Sequence, residues 1–232
     1  MIIDVITIFP DLILSFKNFG LAGNAFEKKI ASLNVYNLRE FTKDKHKKVD
    51  DKPYGGGCGM VMAVEPFFNA VRHIKDKNKI SDNLKQKTIL LSPRGRQLDQ
   101  KLLKDLCLLE NIIILCGRYE GIDERVSEMI VDEEISIGDY ILNGGETAAM
   151  VLIEGLIRLI PGVLHSIDSV KNESFEDNLL EYPQYTRPEV FLGEKVPEIL
   201  IGGNHKEIIN WRKMKALEVT KKRRPDLFDK SS

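Results

Sequence analysis

The 232-residue chain has little cysteine, and what it has is poorly placed for cross-links. Cys58, Cys107 and Cys116 are odd in number and show no CxxC spacing. That argues against a disulfide framework or a zinc site and leaves a reducing cytoplasm as the default compartment. Four histidines, His46, His73, His165 and His205, are scattered without an HxxxH pair. An excess of one charge is missing too: 34 Lys and Arg face 35 Asp and Glu, so any nucleic-acid surface must come from local clustering. The longest apolar helix candidate, "AAMVLIEGLIRLI", carries Glu154 and Arg158 and is too short to span a bilayer. The opening "MIIDVITIFPD" lacks a basic flank and is interrupted by Asp4, so it reads as a first strand closed by Pro10, not as a signal peptide. A soluble protein without membrane association is expected. Neither GxGxxG nor GxxxxGK[ST] occurs, which removes the two common glycine-rich phosphate loops.

What is present is a repeated texture. Residues 2–9 and 33–38 read as strands, with Leu12, Phe16 and Phe19 on one helical face between them before Gly20 stops the helix. "VEPFFNAVRHIK" is a further helix, with Pro66 in its first turn and Phe67, Val71 and Ile74 in register. Then a strand, a polar glycine-bearing loop and a helix follow one another three times. "TILL" leads to Ser92-Pro93-Arg94-Gly95 and a helix with Leu98, Leu102, Leu106 and Leu109 on one stripe. "IIIL" leads to "CGRYEG" and a helix carrying Ile122, Val126 and Met129. "ISIGDYIL" leads to Asn143-Gly144-Gly145-Glu146 and the long apolar helix that ends at Pro161. Continuous apolar strands with crossover helices imply an α/β fold whose mainly parallel sheet is covered on both faces. Loops after such strands gather at one edge, where ligands bind.

The three loops offer Gly117, Gly121, Gly138, Gly144 and Gly145, with Glu120, Asp139 and Glu146 nearby and few cations. A phosphate pocket would not choose carboxylates, whereas a ligand with a ribose, a purine edge and a positive charge accepts them. S-adenosylmethionine fits that description, with Leu91, Ile137 and Leu142 as apolar walls. Glycines after strands are nonetheless more often plain turns. Past Pro161 the texture changes to Ser, Asn and Asp with little apolar periodicity, as in a linker. A small, mostly helical piece follows. Its last helix, from about His205, places Ile208, Trp211 and Met214 towards one side. Residues 204–230 hold nine lysines and arginines against four acids, which in most proteins marks a solvated face.

"YGGGCGM", "LSPRG", "CGRYEGIDERV", "SIGDYILNGGE", "IPGVL" and "YPQYTRPEVF" occur in that order and nearly fill the chain. Together they resemble the bacterial tRNA (guanine-37-N1)-methyltransferase family over residues 1 to about 228. The resemblance implies a deep trefoil knot, a rare exception to the rule that chains do not thread their own loops. It implies a knotted S-adenosylmethionine-binding domain over residues 1–160, a flexible linker over 161–176 and a helical tRNA-binding domain over 177–232. Around the methyl donor it places Leu91, Ser92, Pro93, Gly117, Tyr119, Glu120, Ile137, Gly138, Asp139, Tyr140, Ile141, Leu142, Gly144 and Gly145.

For the chemistry, the family uses an aspartate in the linker as base and an arginine at the end of the long helix as the group facing O6 of guanine. The arginine carries over to Arg158; the aspartate position holds Glu173, a departure, flanked by Asp168 and Asp177. His46 and Asp50 match positions that contact the tRNA or shape the active site, and Cys58 stands where the family usually has proline. The resemblance further implies a homodimer with the active site at the subunit interface and a tRNA substrate with guanine at nucleotide 37. Magnesium dependence is associated with the family, although the sequence shows no dedicated metal cage. Two rivals remain: a knotted ribose 2′-O-methyltransferase and an RNA-binding relative without turnover.

Overall fold

The computed structural model describes residues 1–78, 85–164 and 173–229. The chain divides into two compact units, Met1–His165 and Ser166–Ser232.

The first unit is built on five strands: β1 (Ile2–Thr7), β2 (Ser32–Asn37), β5 (Gln86–Gln97), β6 (Asn111–Cys116) and β7 (Glu133–Ser136). They form one sheet in the order β2-β1-β6-β5-β7, with every pairing parallel. A two-stranded antiparallel ribbon, β3 (Asp50–Asp51) with β4 (Val61–Met62), stands apart. Among the described residues six helices accompany the strands: α1 (Pro10–Phe16), α2 (Gly20–Glu27), α3 (Val64–Lys77), α4 (Gln100–Leu106), α5 (Glu124–Ile130) and α6 (Gly145–Ile157).

Period-two alternation sends side chains to two separate cores. Ile3, Val5, Ile89, Leu91, Ile112 and Ile114 pack with α1, α2, α4 and α6, while Ile6, Leu90, Ile113 and Leu115 pack with α3 and α5. Both faces are therefore covered, as expected from strands without a polar side. The α/β class and the parallel sheet agree with the sequence reading.

Several local expectations give way. Gly20 does not stop a helix: with φ at +62° it opens α2, and Pro10 starts α1. Leu12 and Phe19 are exposed, whereas Phe16 packs partly buried against the core and Ile13 of α1 is fully buried in it. Ser92-Pro93-Arg94-Gly95 is not a plain loop after a strand, because β5 runs on to Gln97 and pairs with β7 twice, with a register shift between Leu91 and Arg96. A Cβ on Gly95 would run into the backbone of Glu134 and Ile135, so only glycine lets the two chains pass so closely. "ISIGDYIL" is strand only to Ser136. The helix expected to carry Ile122, Val126 and Met129 begins only at Glu124, with Val126 fully buried and Met129 exposed.

The second unit is mostly helical among its described residues. It holds a short hairpin, β8 (Val190–Phe191) with β9 (Glu194–Lys195), then α7 (Glu198–Ile201), α8 (His205–Arg223) and α9 (Asp226–Asp229). The side chain of Asn204 caps α8 by accepting from the Glu207 amide. Trp211, Ala216 and Thr220 form its buried side, and Met214 is exposed.

Candidate functional site

Strands β6, β5 and β7 are neighbours, so the segments that leave their carboxyl ends meet. Between them lies a cavity of about 560 Å³. From the β5 side it is lined by Leu91, Ser92 and Pro93, and from the β6 side by Gly117, Tyr119 and Glu120. After β7 the lining continues through Ile137, Gly138, Tyr140, Ile141, Leu142, Gly144 and Gly145. Of the candidate donor-binding residues only Asp139, which is exposed, is absent from this lining.

Glycine is required here for identifiable reasons. A Cβ on Gly145 would sit 2.9 Å from the Cα of Cys116, and the Gly145 amide donates to the Gly117 carbonyl at 2.9 Å. The start of α6 is thereby pressed against the end of β6. At Gly138 φ is +141° and the ring of Tyr140 folds over the missing side chain, its hydroxyl donating to the Ile137 carbonyl at 3.3 Å. Tyr119 adopts φ of +59°, a conformation uncommon for a residue with a side chain.

The glycine segment "YGGGCGM" joins the site from the other side. A Cβ on Gly59 would strike the Glu120 carboxylate, and the Glu120 amide donates to the Met60 carbonyl at 3.0 Å. Strand β4 then holds the loop further, with Met62 donating to the Gly121 carbonyl at 2.9 Å and accepting from Asp123 at the same distance. Asp50 lies opposite Met62 in the ribbon, which brings it near the Gly117–Ile122 loop without lining the cavity. His46 is exposed in the lysine-rich turn before the ribbon, where its amide and that of Lys48 donate to Asp44. The Lys48 amide, and after it that of His46, keeps the Asp44 carboxyl below its ordinary value.

Two arginines line the cavity, and both are already engaged. Arg94 reaches Glu124 at 2.9 Å and Glu134 at 3.3 Å. Arg118 donates through Nε to Oε2 of Glu146 at 2.8 Å and lies over the Phe9 ring at 4.5 Å. Glu146 is fully buried, and its other oxygen accepts from the Thr7 hydroxyl at 2.7 Å. This cluster ties the end of β1, the loop after β6 and the first turn of α6 together. Sequence reading did not single out Arg118 as a site residue. The available signal was an acid and a base in adjacent glycine loops, with nothing to say that they meet. Cys116, at the end of β6, is no nucleophile: burial, and then Glu146, push its thiol well above the ordinary range.

Arg158 is the carboxyl-terminal cap of α6, half-buried, with its amide donating to Glu154. Glu173 belongs to the second unit, half-buried at the start of a tight turn in which Phe175, Asp177 and Asn178 all have positive φ. Asp177 is exposed, and Asp168 lies outside the described residues. Among the described residues no group of three or more His, Cys, Asp or Glu could hold a metal ion. Among them, too, no helix is long and apolar enough to cross a membrane.

A glycine-walled cavity at the carboxyl edge of a parallel sheet, with its two arginines paired to carboxylates, defines an α/β protein with a candidate small-ligand site at its strand ends. The comparisons sharpen that class. Residues 1–230 match the family described as tRNA (Guanine-1)-methyltransferase TrmD. The tRNA (guanine-N(1)-)-methyltransferase of Clostridioides difficile is 48% identical over 228 residues, covering 98% of this chain and 97% of that protein. Those of Endomicrobium trichonymphae and Carboxydothermus hydrogenoformans are 51% and 53% identical, covering 99% and 98% of this chain and 100% and 87% of their own lengths. The chain belongs to the tRNA (guanine-1)-methyltransferase family.

Proposed function

We propose that the protein transfers a methyl group from S-adenosylmethionine to N1 of guanine 37 in tRNA, next to the anticodon. The observation that carries this reading is the charge balance of the cavity: Arg94 and Arg118 are both spent on carboxylates, while Glu120 is left facing the lining. Such walls favour a cationic adenosine derivative over a nucleotide phosphate. Backbone groups of Gly117, Ile137, Gly138 and Leu142 suit a purine edge, Leu91 and Pro93 its faces, and Glu120 the positive end of the donor. The donor supplies an electrophilic methyl on a sulfonium.

The remaining chemistry falls to side chains. N1 of guanine holds a proton and is a poor nucleophile, so a base must remove it as the N–C bond forms and the C–S bond breaks. Glu173 takes that proton, and Arg158 offsets the charge that develops towards O6. The tight turn after Glu173 supports the assignment, because it restricts the backbone that carries the carboxylate. The knot belongs to the same proposal, supported by the close passage of Gly95 past β7 and of Gly145 past Cys116. So do a homodimer with its active site at the subunit interface, a cytoplasmic location, and tRNA contacts through His46, Asp50 and the basic α8.

A tritium-methyl transfer assay with a tRNA transcript carrying guanine at nucleotides 36 and 37, and a counterpart with adenine at 37, tests the reaction. Nucleoside mass analysis should give 1-methylguanosine from the first transcript only. A 2′-O-methyl product would replace the proposal with ribose methylation, and donor binding without any transfer would leave an RNA-binding relative. Glu173→Gln should abolish transfer while donor affinity stays within a few fold, and a near-normal rate would remove Glu173 as base.

A further inference from the structure

The second unit has a cavity of its own, about 580 Å³, formed entirely by its own residues. That lies within the range of about 300–1,000 Å³ common to small-ligand sites. Three of its walls are aromatic. Tyr185 and Trp211 form a tilted pair with ring centroids 6.4 Å apart, and Tyr182 carries the guanidinium of Arg212 at 4.7 Å from its centroid. Trp211 is 8% exposed, whereas Tyr185 is 49% exposed and offers a ring to an incoming group. Two cations, Arg187 and Arg212, line the cavity against the single acid Glu189. The Nε of Arg212 is buried and has no hydrogen-bond partner among the described residues.

Two guanidinium groups against one carboxylate in the cavity wall favour an acceptor that a ligand brings. Flat rings beside them call for a planar partner. A base attached to a phosphate meets both demands, because unstacked bases pack on tyrosine, tryptophan and guanidinium planes and phosphates pair with arginine. Trp211 and Arg212 also belong to α8, a helix with seven lysines and arginines against two glutamates, whose Lys213, Lys221, Lys222 and Arg223 are exposed. A field of that extent suits a polyanion better than a free mononucleotide.

From this arrangement we infer that the second unit holds one unstacked nucleotide of the RNA substrate, separate from the guanine that is methylated. The inference rests on tRNA being the substrate, as proposed above. The pocket fixes the register of the RNA by gripping a base, while the lysines of α8 hold the backbone without regard to sequence.

The test is a set of tRNA transcripts with single abasic nucleotides placed in turn along the anticodon arm, sparing nucleotide 37. Each is assayed for methyl transfer by the wild-type chain, Tyr185→Ala and Tyr185→Phe. For the wild type, one abasic position should raise the KM for tRNA about tenfold with kcat retained, the size of a lost base stack. Tyr185→Ala should show the same tenfold rise with intact tRNA and no further penalty at that position, and Tyr185→Phe should restore wild-type behaviour. Trp211 is the only tryptophan, so quenching of its emission by intact tRNA, and less quenching by the sensitive abasic transcript, gives a binding readout independent of turnover. If no abasic position depends on Tyr185, the inference is overturned. It is equally overturned if Tyr185→Ala changes the sedimentation of the protein and leaves tRNA affinity intact, which would assign the cavity to a subunit contact. Failure of the wild type to methylate any intact transcript would sink the proposed reaction instead.

Discussion

Replacing Glu146 by glutamine removes one charge from a buried polar cluster of the first unit and changes almost nothing in shape. Glu146 is 0% exposed and accepts from Arg118 at 2.8 Å and from Thr7 at 2.7 Å. At an effective dielectric near 20, unit charges about 4 Å apart attract by about 4 kcal/mol, and desolvating the carboxylate offsets part of that. Deleting one partner of a buried pair costs about 3–5 kcal/mol, because the other charge is left uncompensated. The Arg118 side chain is 21% exposed, so water recovers some of its solvation. The expected loss for Glu146→Gln is therefore about 3 kcal/mol, at the low end of that range. Urea denaturation measures it directly. Calorimetric titration with S-adenosylmethionine should show affinity falling more than tenfold, since the loops after β6 and β7 lose the tie that registers them. Arg118→Met should cost a similar amount, and the double variant less than the sum. A stability loss below about 1 kcal/mol, the scale of an exposed ion pair, would refute the reasoning. Additive losses would show that the two side chains are uncoupled.

Gly95→Ala should destabilise the first unit by about 1–3 kcal/mol through overpacking against Glu134 and Ile135. Gly202→Ala, whose nearest neighbour would be 3.6 Å away, should be neutral within about 0.5 kcal/mol, and thermal denaturation compares the two. Asp123 caps α5, and its carboxyl is held below the ordinary 3.8 chiefly by the Arg125 hydrogen bond. A depressed folded-state value adds stability above the ordinary pKa and loses it as pH falls through the folded value. Asp123→Ala should thus cost about 1 kcal/mol at pH 7 and progressively less below about pH 4, read from urea midpoints at both pH values. At pH 8 a thiol reagent should label exposed Cys58 quickly. Burial pushes Cys107 up to about 11 and Cys116 well above the ordinary range, so both should react only on unfolding.

The sheet was legible because its strands announce themselves locally. Ile112 to Leu115 form an unbroken apolar run, and the stripe of Phe67, Val71 and Ile74 marks α3 without ambiguity. Glycine and proline misled where their effect depends on what lies across from them. Gly20 looks like a helix stop but opens α2, and Pro93-Arg94-Gly95 looks like a turn but continues β5 alongside β7. Part of the lining, Gly117, Gly138, Gly144 and Gly145, was legible as glycine segments after apolar strands, while the full set came from the resemblance to a family. The tie between Arg118 and Glu146 was not legible, since the two are separated by 28 residues and meet only after the sheet is assembled. Asp139 sits in the same motif as its neighbours but is exposed and is not among the residues that line the cavity.

On the proposed reading, the neutralised arginines also bear on which adenosine compounds the cavity would take. Adenosine triphosphate offers the same base and ribose, but its tail would have to displace Glu124, Glu134 or Glu146 from guanidinium groups that already hold them. If the cavity holds the methyl donor as proposed, the paired guanidinium groups would disfavour the energy-carrying nucleotides without any moving gate.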